Sequence, residues 1–153
     1  MKKFLILLSV LFTISLISYT QRIVPEKVPA PVKNAFAKKF PAATDVKYQM
    51  EKNNYEINFK DKGVITSVNY SIVGKWLETE TSISESDLPQ EVTAAINNDF
   101  SGFVISKVSK VETPDKPLIY EMDLKKDNQS YEAEFSAKGD VLKKKPLKNK
   151  KKD

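Results

Sequence analysis

Three pairs of carboxylates stand two residues apart: Glu78/Glu80, Glu121/Asp123 and Glu132/Glu134. On an extended strand, positions i and i+2 share one face, so each pair presents its two acids together. Such pairs serve two chemistries. One is acid–base or nucleophilic work of the glycosidase kind, and the other is ligation of a hard cation such as calcium by oxygen. Little else speaks for catalysis. The 153-residue chain has no Cys and no His, which removes thiol nucleophiles, disulfides, imidazole bases and metal sites built from those ligands. No Gly-rich phosphate loop, EF-hand spacing or Ser-centred elbow is present. The acids also alternate with apolar residues, as in "YEMDL" (120–124) and "YEAEF" (131–135), the pattern of a half-buried strand. They therefore read as the solvated face of a sheet, on a protein expected to be no enzyme and to need no cofactor or metal. Calcium binding stands as the lesser alternative.

The elements that would carry these residues are written twice. "YEINF" (55–59) returns sixty-five positions later as "YEMDL", and the same offset pairs Lys60 with Lys125, Ser71 with Ser136, Gly74 with Gly139 and Leu77 with Leu142. Upstream, an offset of sixty pairs Pro29 with Pro89, Val32 with Val92, Ala35 with Ala95 and Phe40 with Phe100. The spacing Val32, Ala35, Phe36, Phe40 and its copy Val92, Ala95, Ile96, Phe100 predicts two amphipathic helices. Each has Pro in its first turn, and Asp87 with Gln90 suggests a capping box near Leu88. Strands are predicted over 45–52, 54–61, 64–72 and 75–81, then over 103–112, 117–126, 129–137 and 140–144. The expected fold is α+β: a tandem repeat of one helix followed by three or four antiparallel strands, with both helices on one face of the sheet. The first repeat spans 21–81, a polar join 82–87, and the second repeat 88–144, the two together forming one domain.

Both ends differ from this body. Lys2 and Lys3 precede the apolar run "FLILLSVLFTISLI" (4–17), too short for a spanning helix and typical of a secretory signal peptide over residues 1–20. Export to the periplasm or beyond the cell is the expected localisation. The formal charge of +5 hides an asymmetry: residues 23–142 sum to −4, whereas the tail from Lys143 contributes +6. Nucleic acid is therefore not an expected partner of the body. The basic segment 145–153 reads as a disordered, solvated tail. Its sharper reading, attachment to an anionic surface, enlists Lys143, Lys144, Lys145, Lys148, Lys150, Lys151 and Lys152.

The run Val28-Pro29-x-x-Val32-x-x-Ala35-Phe36-x-x-x-Phe40-Pro41-x-Ala43, followed by "YEINF" and by Gly74-Lys75-Trp76-Leu77-Glu78-Thr79-Glu80, resembles the secreted PepSY-like domains. Those are described as beta-lactamase-inhibitor-protein-like in fold. The resemblance covers residues 25–144 and implies a small exported module that binds or inhibits other proteins. The second repeat departs from the pattern, with Ser101-Gly102 in place of Pro41-Ala42 and Asp140-Val141 in place of Lys75-Trp76. The expected function is non-catalytic binding of another envelope or secreted protein through the exposed sheet face, carrying Glu56, Asn58, Glu121, Asp123, Glu132 and Glu134 with Trp76 as an anchor. The alternative is a structural, ligand- or cation-binding protein held at the envelope surface by its lysine tail.

Overall fold

The two apolar stripes become helices α1 (Ala30–Lys39) and α2 (Gln90–Asp99). The computed structural model describes residues 21–51 and 53–147. Residues 1–20, expected to be a signal peptide, and Lys148, Lys150, Lys151 and Lys152 lie outside the described residues. Pro29 and Pro89 sit at the helix N-caps, each preceded by a 3-10 turn, Pro25–Lys27 and Glu85–Asp87. The capping box lies one turn earlier than expected. Ser84 caps the 3-10 turn, and its own N–H donates to Asp87 Oδ2 at 3.0 Å. Asp87 is thus engaged with Ser84, and α2 begins without a side-chain cap.

Among the described residues, nine strands follow the alternating segments: β1 (Gln21–Ile23), β2 (Ala43–Glu51), β3 (Asn54–Asp61), β4 (Val64–Ser71), β5 (Trp76–Ser82), β6 (Val104–Glu112), β7 (Ile119–Lys126), β8 (Gln129–Ser136) and β9 (Val141–Pro146). They pair antiparallel in chain order as one continuous sheet. The short β1 was not expected. β9 runs to Pro146, so Lys145 stands on a strand rather than in a free tail. Polarity explains the last pairing: Lys143 and Lys145 of β9 face Glu134 and Glu132 of β8 across the ladder.

Both helices cover one side of this sheet. Register carries that side through Ile57, Val68 and Thr79 to Glu112, and through Lys110 to Tyr120 and Phe135. On it lie two cores. Val32 and Phe36 of α1 pack with Ile57, Phe59, Val68 and Tyr70, while Val92 and Ile96 of α2 pack with Met122, Leu124, Ala133 and Phe135. Burying each large side chain contributes about 1.5–3 kcal/mol. Edge contacts such as Phe36–Phe59, with centroids 5.0 Å apart, add about 0.5–1.5 kcal/mol. Between the cores, β5 and β6 offer Thr79, Thr81, Lys110 and Glu112, a polar seam with Lys110 Nζ 3.4 Å from Glu112.

Two glycines seat the helices. Gly74 (φ +79°) and Gly139 (φ +86°) close the β4–β5 and β8–β9 hairpins in the left-handed region. A Cβ at Gly74 would lie 2.6 Å from Pro31 O, and one at Gly139 would lie 2.5 Å from Glu91 O. Each hairpin therefore touches the first turn of its helix, and only a glycine fits that approach.

Candidate functional site: an acidic hollow on the helix-free face

The opposite side of the sheet carries the polar half of each alternation. Glu56 and Asn58 on β3, Glu78 and Glu80 on β5, Lys107 and Ser109 on β6, Glu121 and Asp123 on β7, Glu132 and Glu134 on β8, and Lys143 on β9 all rise from it. Neither helix core reaches this side. Even so, its centre is half-buried. The side chains of Glu80, Glu121, Glu132 and Glu134 are only 20–23% exposed, and beneath them Val111 and Ile119 are buried and Ser109 is fully so.

Curvature is the cause. In a flat sheet β5 and β9 would stand about 19 Å apart. Here Glu78 of β5 and Lys143 of β9 line one cavity of about 270 Å³, together with Val111, Thr113, Ile119, Glu121 and Glu134. Twist and coiling have curled the second half of the sheet into a hollow. Its floor is apolar and its walls are acidic.

The charges are crowded. Single oxygens of Glu121, Glu132 and Glu134 lie within 4.8 Å of one another. Lys107 Nζ sits 2.6 Å from Glu80 and 4.0 Å from Glu121. Lys143 pairs with Glu134 and lies 3.9 Å from Glu132. Burial pushes the Glu121 carboxyl up to about 7, helped by Glu80, Glu132 and Glu134 and opposed by Lys107. Burial also raises Glu78, with Glu80 adding to it and a hydrogen bond from Asn69 opposing it. Lys107 loses some of its charge preference to burial. Its carboxylate neighbours Glu80, Glu121 and Asp123 outweigh that loss and hold it above the usual lysine value. Lys143 is likewise raised, chiefly by its hydrogen bond to Glu134. Two hydroxyls here, Ser109 Oγ and Thr113 Oγ1, are buried and have no hydrogen-bond partner among the described residues.

The expected face residues separate under this geometry. Glu121, Glu132 and Glu134 come together in the hollow, with Asp123 beside Lys107 in register. Glu56 and Asn58 share the face and bond to each other at 3.0 Å, but β3 lies four strands from β7. Trp76 is on the other side. It packs against the first core, donates Nε1–H to Thr79 Oγ1 at 2.9 Å and lies under Lys39 Nζ at 4.1 Å. Of the lysines grouped with the tail, Lys143 belongs to the hollow. Lys144 points to the helix side over Tyr131 (4.1 Å) and Phe100 (4.9 Å), and Lys145 is exposed in register with Glu132. Lys107 and Ser109 complete the hollow without having been singled out, and Glu78 and Glu80, expected only as part of the solvated face, join it. The Glu78/Glu80 alternation on β5 was the available signal.

Comparison with known proteins places this arrangement among relatives. Residues 17–67 and 53–143 match a family model described as "Putative beta-lactamase-inhibitor-like, PepSY-like". A crystal structure from Bacteroides eggerthii, one of its "putative periplasmic proteins", superposes with a TM-score of 0.76 at 26% identity, over 80% of this chain and 91% of that one. A DUF2874 family protein from Bacteroides ovatus gives 0.72 at 26% identity, over 77% and 86%. A BLIP-like protein from Bacteroides fragilis gives 0.72 at 22% identity, over 86% and 93%, a likeness of fold. No curated protein matches the sequence. No helix among the described residues is long and apolar enough to cross a membrane.

Proposed function

The chain belongs to the family described as "Putative beta-lactamase-inhibitor-like, PepSY-like", and on that footing we propose that it is an exported, non-catalytic binding module. Its acidic hollow docks a basic segment of another envelope or secreted protein. One observation carries the reading: five half-buried carboxylates, Glu78, Glu80, Glu121, Glu132 and Glu134, crowd over the apolar floor of Val111 and Ile119 on a side that neither α1 nor α2 covers. An arginine or lysine entering there lays its aliphatic stem on the floor and its charge among the acids. Lys107 and Lys143 already occupy part of that role from within the chain. The partner's cations therefore compete with internal ones, and association falls with salt.

Export is favoured by the apolar leader and by the description of the Bacteroides eggerthii relative. The tandem-repeat reading draws support from matched details. Each half runs 3-10 turn, helix and four strands, and each closes on a glycine against the carbonyl of its helix's first turn, Pro31 and Glu91, sixty residues apart. The test is affinity capture from envelope extract at low salt, with the wild-type chain beside Glu121→Lys/Glu132→Lys and, as a helix-side control, Lys33→Glu. A partner captured by wild type and by the control but lost with the double variant supports the proposal. An identical set of captured proteins for all three chains refutes it.

A further inference from the structure

We propose that Glu121, Glu132 and Glu134 together form a divalent-cation site of the calcium class, completed by the hydroxyl of Ser109. The three carboxylates each offer one oxygen within 4.8 Å of the other two. Ser109 is the register partner of Glu121, so its side chain rises beside that carboxylate on the same face. It is fully buried, and its Oγ has no hydrogen-bond partner among the described residues. Thr113 Oγ1, also without one, lines the same cavity as Glu78, Glu121 and Glu134. A buried hydroxyl left unpaired costs about 1–3 kcal/mol, and a native fold rarely keeps two such groups beside one acidic cluster without a use for them.

The donor set selects the ion. Every ligand is an oxygen, and the chain has neither imidazole nor thiolate to offer, so hard cations are favoured over transition metals. Three oxygens within 4.8 Å of one another suit the flexible coordination of calcium at about 2.3–2.6 Å, whereas magnesium demands a near-ideal octahedron at about 2.0–2.1 Å and dehydrates reluctantly. The charges around the site are Glu78 and Glu80 from β5, Lys107 from β6, Asp123 on β7 itself, Lys143 and Lys145 from β9, and Lys116 at the cavity edge. Among these, Lys143 is the displaceable counter-ion. It bridges Glu132 and Glu134, yet its side chain is 51% exposed and free to swing outward. A cation entering between those two acids takes its place. The inference holds whether or not a protein partner docks in the hollow.

The test is calorimetric titration of calcium chloride into the chain from residue 21 onward, which holds the whole described fold. Saturable binding of one ion is expected, with Kd about 0.1–1 mM as in extracellular calcium modules. Glu132→Gln/Glu134→Gln abolishes binding and Ser109→Ala weakens it. Lys143→Ala strengthens it about tenfold, because a monovalent neighbour no longer repels the ion. Three results overturn the proposal: no saturable heat for wild type and Lys143→Ala up to about 10 mM calcium, binding that survives the double glutamine variant, or magnesium bound as tightly as calcium.

Discussion

Replacing Glu121 by Gln should stabilise the fold in alkaline solution and leave it unchanged in mild acid. The carboxyl is raised from 4.5 to about 7, first by burial and then by Glu80 and Glu132. At about 1.4 kcal/mol per unit, such a rise corresponds to roughly 3 kcal/mol of ionisation penalty. The side chain is still 21% exposed, and the water it meets screens that figure to about 1–2 kcal/mol. Between pH 4.5 and about 7 the folded protein holds this proton more tightly than the unfolded chain. Stability therefore falls as pH rises through that window, and the whole penalty is present above it. Glutamine keeps the shape and cannot ionise. At pH about 8.5 the variant should gain about 1–2 kcal/mol, or about 3–8 °C in Tm, and at pH about 5 it should match wild type. Urea denaturation of both proteins at the two pH values measures the difference directly. A variant less stable than wild type at the higher pH, or a difference that does not change with pH, would refute the electrostatic account of the hollow.

Gly74→Ala and Gly139→Ala should each lose about 2 kcal/mol or more, since a left-handed φ and a collision with a helix carbonyl add together. Gly63→Ala, at φ +86° with nothing within 4 Å, should lose only about 1 kcal/mol; equal losses at all three sites in thermal melts would show that the helix contacts are slack. Phe135→Ala, at a fully buried position in the second core, should cost about 3–5 kcal/mol, read as a lower urea midpoint. Lys39→Ala should change the emission of Trp76, the one tryptophan, by removing the ammonium 4.1 Å from its ring, with a stability loss of about 0.5–1 kcal/mol. An unchanged spectrum would mean that the contact does not persist in solution.

Much of the architecture was legible because alternation and helical spacing are local properties. Tyr55, Ile57 and Phe59 on one side of β3 and Glu132 and Glu134 on the other side of β8 follow from period two alone. The helical stripes at Val32 and Val92 follow from period 3.6. The misplacement of Trp76 has an equally local cause that no periodicity reveals. By period two it shares a side with Glu78, but a bulge between Asn69 and Tyr70 pairs Glu78 with Asn69 and Trp76 with Tyr70, turning the indole to the core.

By itself, then, the amino-acid order determined where the helices and most of the strands lie and which side of a regular strand each residue takes, because neighbours along the chain set those choices. Only the tertiary structure decided that the sheet runs unbroken across β5 and β6, that its second half curls until Glu78 and Lys143 border one hollow, and that Ser109 is buried beside Glu121 with its Oγ lacking a hydrogen-bond partner among the described residues. Those features depend on accumulated twist, bulges and long-range register, quantities summed over many residues and carried by no single one.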